Sequence, residues 1–88
     1  MIETLRERMD ALDRRLLALV NGRAALACRI AEEKRARGMP LHAPGREAAI
    51  LRRVRSRNRG PLGKAAVERI FRCILVESRA LAAKKSIT

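Results

Sequence analysis

Two cationic side chains interrupt an apolar stripe in the first part of the sequence. Arg23 stands where the spacing of the stripe requires a hydrophobic residue. Ala27, Ile30 and Lys34 follow on the same helical face, at steps of 4, 3 and 4 residues. A charge that faces a protein core is costly unless it is paired. The arrangement therefore favours a pocket in which these cations bind an anionic ligand.

Polar residues that could serve a site also occur in the second and third predicted helices. Arg46 and Glu47 fall in the first turn of the second helix, beside its positive N-terminus, and Ser78 interrupts the apolar stripe of the third. Ordinary structural explanations also exist. Arg23 can pair with an acidic residue of a second subunit, and Lys34 suits the C-terminus of a helix. Arg46 and Glu47 suit a solvated helix start, and Ser78 can bond to a backbone carbonyl. The pattern alone predicts a helical dimer with a buried basic pocket.

The longest apolar pattern predicts one long helix over residues 2–37. Its spacing of 3-4-3-4-3 continues after one interruption, which makes a heptad seam. The seam consists of Ile2, Leu5, Met9, Leu12, Leu16, Leu19, Leu26 and Ile30. Gly38 and Pro40 end the helix, which is roughly 50 Å long at about 1.5 Å per residue.

Two shorter helices follow the long one. The second is predicted over residues 44–58, with Pro44 in its first position. The third is predicted from residue 62 or 63 to residue 85, after a break at Gly60 and Pro61. A single layer of three helices leaves much apolar surface bare, and a second copy is needed to cover it. We therefore expect an all-α fold of one long and two shorter helices, with residues 1–88 as one domain of an obligate homodimer.

The composition excludes several classes of protein. The net charge is +12, and 17 of the 21 basic residues are arginine. Phe71 is the one aromatic residue, so there is no platform on which bases could stack. No apolar run reaches the roughly 20 residues that span a bilayer, and no secretory signal is visible, so we expect a cytoplasmic protein without membrane contact. Cys28 and Cys73, with His42 as the single histidine and no CxxC pair, predict two buried free thiols and no metal site.

Several motifs run in order through nearly the whole chain, almost without gaps. They are Met1-Ile2-Glu3-Thr4-Leu5-Arg6, Leu12-Asp13, Leu16-Leu17-Ala18-Leu19, Arg23-Ala24-Ala25-Leu26-Ala27, Lys34, Pro40, Pro44-Gly45-Arg46-Glu47 and Gly60-Pro61-Leu62. Together they resemble the all-helical chorismate mutase family, the AroQ class. The Gly-Pro-Leu loop and the Ile70-Phe71-Arg72 stretch are most similar to mutase domains fused to prephenate dehydratase. Because the sequence ends at Thr88, we expect no dehydratase domain here.

The resemblance implies an isomerase that converts chorismate to prephenate in aromatic amino-acid biosynthesis, without a cofactor or a metal. It implies an intertwined homodimer with two active sites, each built from both chains. By resemblance, Arg6 reaches into the partner's site and binds one carboxylate of chorismate. Arg23 binds a carboxylate within its own subunit, and Lys34 donates to the ether oxygen of the breaking C–O bond.

Three further roles are carried over by resemblance. Arg46 helps to hold the site, Glu47 accepts a hydrogen bond from the ring hydroxyl, and Ser78 lines the pocket. The resemblance thus assigns catalysis to Arg23, Lys34 and Glu47, and these residues reappear among the seam-breaking positions.

Two positions depart from the family pattern. The family usually places Gln or Glu at the position of Ala82, as a second donor to the ether oxygen, and losing one such donor costs about 10²–10³ in rate. Ala43 stands where Asp is usual, which removes an N-cap worth about 1 kcal/mol. Lys85 lies on the same face as Ser78 and Ala82 and is a candidate substitute donor.

Other functions remain open on the sequence. The fold and its cations also suit an isochorismate-pyruvate lyase, and the Ala82 departure suits a non-catalytic module that regulates a shikimate-pathway enzyme. A basic dimer that binds nucleic acid is less favoured, although five arginines crowd one segment. These arginines are Arg52, Arg53, Arg55, Arg57 and Arg59. We prefer to interpret the segment as a solvated face that steers an anionic substrate.

Overall fold

The computed structural model describes residues 1–87 and contains three α-helices, with no β-strand in that part of the chain. The helices are α1 (Ile2–Ala36), α2 (Pro44–Arg57) and α3 (Lys64–Ile87). The predicted all-α fold of one long and two shorter helices is confirmed, with small differences at the helix ends. Pro44 takes the predicted first position of α2, and Ala43 precedes it as an N-cap without a side-chain hydrogen bond.

The end of α1 is fixed by a glycine turn. Gly38 has a φ of 68°, a left-handed conformation that glycine adopts without strain. The backbone N–H of Met39 donates to the carbonyl of Lys34 at 2.8 Å, and that of Gly38 donates to the carbonyl of Arg35 at 3.2 Å. These are the two bonds of a Schellman motif. The turn holds the last helical turn, which carries Lys34, in a defined position.

The connection between α2 and α3 is organised by Asn58. Its side-chain amide donates to the carbonyl of Leu62 at 2.8 Å, and its side-chain oxygen accepts from the N–H of Gly60 at 3.2 Å. Asn58 itself has extended backbone angles, so α2 ends one residue earlier than predicted. The carbonyl of Gly63 accepts the N–H of Val67 at 3.1 Å, so α3 begins after it.

The three helices form one layer. The Cα extents are 55 × 28 × 14 Å, so the structure is flattened. Helix α3 lies in the middle and packs against α1 on one side and α2 on the other, while α1 and α2 do not pack on each other within residues 1–87. The layer therefore leaves both of its broad faces open.

Two small clusters hold the layer together. The α1–α3 contact is made by Cys28, Ala31 and Ala82, with Leu41 packed against them. The small side chains at this contact let the two helices approach closely. The second cluster joins α2 to α3 and consists of Ile50, Leu51 and Leu75, with Val54 and Phe71 beside them. In the part of the chain described, no large side chain is fully buried.

The heptad seam of α1 is exposed in the single chain. Its eight residues, from Ile2 to Ile30, have exposed fractions between 56% and 68%. Cys28 is buried as predicted, but Cys73 is exposed and that prediction is wrong. A single layer covers α3 only where it touches its two neighbours, and Cys73 lies outside those contacts. No described helix is long and apolar enough to cross a lipid bilayer.

Candidate active site

A cavity of about 460 Å³ lies where the chain turns from α1 into α2. All three helices and the connecting loop line it, because α3 packs beside both α1 and α2 and forms part of the wall between them. Its polar lining consists of Arg23, Lys34, His42, Arg46, Glu47, Ser78 and Arg79. Its apolar lining includes Ala27, Ile30, Ile50, Leu75 and Ala82. The volume is in the range of pockets that bind small molecules.

Six of the seven predicted site residues line this one cavity. They are Arg23, Lys34, Arg46, Glu47, Ser78 and Ala82. They are drawn from three helices, and the outer two helices do not pack on each other, so their convergence depends on the tertiary fold. Arg6 is the seventh residue, and it lies elsewhere.

Helix α1 contributes two cations to the cavity. Arg23 and Lys34 are both half-buried, and they are separated by 11 residues, which is about 16 Å along a helix axis. The Lys34 ammonium donates to the carbonyl of Leu41 at 3.3 Å. This bond ties the side chain to the loop that follows α1, so the ammonium is held over the cavity.

Helix α2 contributes Arg46 and Glu47 from its first turn. The Glu47 side chain is mostly buried, with 26% of its surface exposed. The backbone N–H of Glu47 donates to the carbonyl of Ala43 at 3.1 Å, which starts the helix without a side-chain cap. A partly buried carboxylate at this place can accept a hydrogen bond from a ligand hydroxyl.

Helix α3 contributes small residues to the lining. Ser78 is 6% exposed and Ala82 is 8% exposed, and both line the cavity. Ala82 also packs on Cys28 and Ala31, so it belongs to the core as well as to the site. Its methyl group offers no hydrogen bond. Lys85 is exposed and does not line the cavity, so the structure does not support it as the substitute donor.

Arg79 also lines the cavity, and the sequence pattern did not single it out. Its Nη1 donates to both carboxylate oxygens of Glu47, at 2.9 Å each, and lies 2.8 Å from Nε2 of His42. Since a guanidinium only donates, Nε2 of His42 is the acceptor in that contact. The chain has 17 arginines, and Arg79 could have been selected among them only by its spacing. Residues 75, 79 and 82 share one face of α3, at steps of 4 and 3.

The cavity carries an excess of positive charge. Among the described residues, four basic side chains line it, namely Arg23, Lys34, Arg46 and Arg79, against the single carboxylate of Glu47. An apolar wall with several cations suits a small molecule that carries more than one negative charge, because guanidinium groups bind carboxylates through paired N–H bonds.

Arg6 cannot reach the cavity of its own chain. It lies 17 residues before Arg23, which is roughly 25 Å along α1. Its side chain is 71% exposed and pairs with Glu3 at 3.5 Å, an ion pair of little energetic consequence at this exposure.

The candidate site is a cationic cavity within a layer of three α-helices. The family model for chorismate mutase type II matches residues 5–83. The chain is 35% identical over 85 residues to a bifunctional chorismate mutase/prephenate dehydratase of Stutzerimonas stutzeri. The aligned region covers 91% of this chain and 23% of that protein. It is 37% identical over 83 residues to the protein of the same name from Neisseria gonorrhoeae, covering 94% of this chain and 22% of that protein. The chain thus spans less than a quarter of the length of these relatives.

A solved structure has the same fold. The chorismate mutase (form II) of Thermus thermophilus superposes with a TM-score of 0.90 at 28% identity, covering 93% of each chain. The family model covers most of the sequence and the structural match covers most of both chains. The chain belongs to the chorismate mutase type II family.

Proposed function

We propose that this protein catalyses the rearrangement of chorismate to prephenate in aromatic amino-acid biosynthesis. The observation that carries the proposal is the gathering of Arg23, Lys34 and Glu47 in one cavity of a chorismate mutase fold. The reaction is intramolecular. One C–O bond breaks and one C–C bond forms, with no atom gained or lost, so it requires no nucleophile and no proton transfer. The protein has to hold a dicarboxylate in its compact reactive conformation.

The cations of the cavity have different roles in binding and catalysis. Arg23 binds one carboxylate through its guanidinium fork, which fixes orientation as well as charge, and Arg46 helps to hold the site from α2. Negative charge builds on the ether oxygen as the C–O bond breaks. The Lys34 ammonium, half-buried and tied to the Leu41 carbonyl, stabilises that charge more in the transition state than in the substrate.

The remaining residues orient the ring. Glu47 accepts a hydrogen bond from the ring hydroxyl. Ser78 and Ala82 form part of the wall against which the substrate packs. Each of these side chains is at least partly buried, which excludes water and strengthens the electrostatic interactions within the cavity.

The same proposal includes a homodimer with shared sites. The exposed seam of α1 and the open faces of the layer support a second copy as the covering partner. Arg6 lies roughly 25 Å from its own Arg23, and we propose that it binds the second carboxylate in the site of the partner subunit. Residues 1–88 act as one mutase domain within this dimer, and its cytoplasmic location stays a prediction.

The test is a direct assay of chorismate disappearance with identification of the product. We expect prephenate from the native protein. Lys34→Met keeps the length of the side chain and removes its charge, and we expect kcat to fall by about 10²–10³. Lys64→Met is the matched control, because Lys64 is exposed at the start of α3 and does not line the cavity.

Other products would point to the alternative functions. Salicylate plus pyruvate from isochorismate would identify a lyase. A folded protein without turnover would indicate the regulatory module and contradict the proposal. Tight DNA binding with a steep salt dependence, together with no turnover, would favour the nucleic-acid interpretation of the arginines that are exposed between residues 52 and 59.

A further inference from the structure

Arg79 is held inside the cavity by one of its three nitrogens. Its contacts with Glu47 and His42 all involve Nη1. A guanidinium has five N–H donors, of which three belong to Nη2 and Nε. Glu47 and His42 therefore anchor the group through one nitrogen, while the other two nitrogens carry the donors that can serve a ligand. The side chain is 38% exposed, which places it partly within the cavity wall.

Arg79 and Lys34 both line the cavity, and each contacts the loop between α1 and α2. The Lys34 ammonium is bonded to the carbonyl of Leu41, and Nη1 of Arg79 contacts the ring of His42, the next residue in the loop. One cation comes from α1 and the other from α3, and their contacts are with two adjacent residues of the same loop. The nearby position 82 carries an alanine, which provides no donor.

We propose that Arg79 is a catalytic residue that donates the second hydrogen bond to the ether oxygen, beside the bond from Lys34. This assignment rests on the proposed mutase function. An ether oxygen accepts two hydrogen bonds, and both gain strength as charge develops on it. The step remains the rearrangement itself: the C–O bond breaks, the C–C bond forms, and Arg79 keeps its proton throughout. Arg79 thus provides the interaction that Ala82 cannot.

A rescue experiment separates this role from a purely structural ion pair with Glu47. Arg79→Met keeps most of the aliphatic stem and removes all five donors, and we expect kcat to fall by about 10²–10³ with a smaller change in KM. Adding Ala82→Gln to that variant places an amide donor on the adjacent turn of α3, and we expect it to restore at least about tenfold in kcat. Arg69→Met is the control, because Arg69 is an exposed arginine of α3 that does not line the cavity, and it should leave kcat unchanged.

Binding of a stable bicyclic ether dicarboxylate, which mimics the cyclic transition state, gives a readout that is independent of turnover. We expect Arg79→Met to raise the Kd of this compound by about as much as it lowers kcat, with helicity and sedimentation unchanged.

Three results would overturn the assignment. The first is an Arg79→Met variant that keeps kcat and the affinity for the mimic within about threefold of the native values. The second is a loss of kcat that Glu47→Gln reproduces in full and Ala82→Gln does not rescue in a folded double variant, because Arg79 then acts only by positioning Glu47. The third is a native protein without turnover, which would remove the proposed function and this assignment together, whereas the first two leave the function intact.

Discussion

Leu16 lies in the middle of the exposed seam of α1, and its truncation tests the proposed dimer. In the single chain 58% of Leu16 is exposed. Leu→Ala in a fully packed core costs about 2–5 kcal/mol. If a second copy covers the exposed fraction, Leu16→Ala removes about 1–3 kcal/mol of interface energy in each subunit. A symmetric dimer contains the change twice, so its dissociation free energy falls by about 2–6 kcal/mol. At about 1.4 kcal/mol for each factor of ten, the dissociation constant rises by about 30-fold to 10⁴-fold.

Sedimentation equilibrium across nanomolar to micromolar concentrations measures this shift, and far-UV circular dichroism at the same concentrations reports folding. We expect helicity to be lost together with the dimer, because the single chain has only two small clusters of buried residues among those described. Arg14→Ala is the control, since position 14 lies about 200° around the helix from the seam residues 12 and 16. The dimer would be refuted if Leu16→Ala sedimented like the native protein at every concentration, or if the native protein were a folded, active monomer at nanomolar concentration.

Two further predictions concern the shared site and the end of α1. Arg6→Ala and Arg23→Ala should each be nearly inactive, but mixing them should restore activity, because a heterodimer has one site with both arginines. Demonstrated subunit exchange without recovery would show that Arg6 does not act across the interface. Gly38→Ala should destabilise the protein by about 1–2 kcal/mol, because a φ of 68° is strained for alanine while nothing lies within 4 Å of the added Cβ. Thermal unfolding should show a Tm lower by about 4–8 °C per kcal/mol, and an unchanged Tm would contradict this.

The helices and most of the polar residues that line the cavity could be predicted from the sequence for a physical reason. Arg23 is a cation at a position where the heptad seam requires an apolar residue. A residue that breaks a local pattern in this way is a candidate for a functional role. Gly38 and Pro44 delimit the loop between the first two helices through backbone geometry that few other residues match as well. The residues that interrupt the seams line one cavity in the structure, together with Ala82.

The positions of Arg79 and His42 in the cavity could not be predicted from the sequence in the same way. Arg79 is one of 17 arginines, and it is the neighbouring Ser78 that interrupts the apolar stripe of the third helix. His42 lies in a loop without any periodicity. Their contact depends on how closely the loop approaches α3, and Leu41 of that loop packs on the cluster of Cys28, Ala31 and Ala82. A local pattern contains no information about such a distance.

Under the proposed function, helix α1 takes part in both dimer assembly and substrate binding. More than half of each seam residue is exposed in the single chain, and Arg6 and Arg23 are too far apart along the helix to bind one small molecule within one subunit. Under the proposed function, dissociation therefore removes a carboxylate ligand from each site at the same time as it exposes the seam. A substitution such as Leu16→Ala, which does not touch the cavity, should then lower activity in proportion to the dimer that is lost. A substitution in the cavity, such as Lys34→Met, should lower kcat while the dimer persists. These two kinds of loss, measured on the same protein, distinguish a site shared between subunits from a site that is complete in each chain.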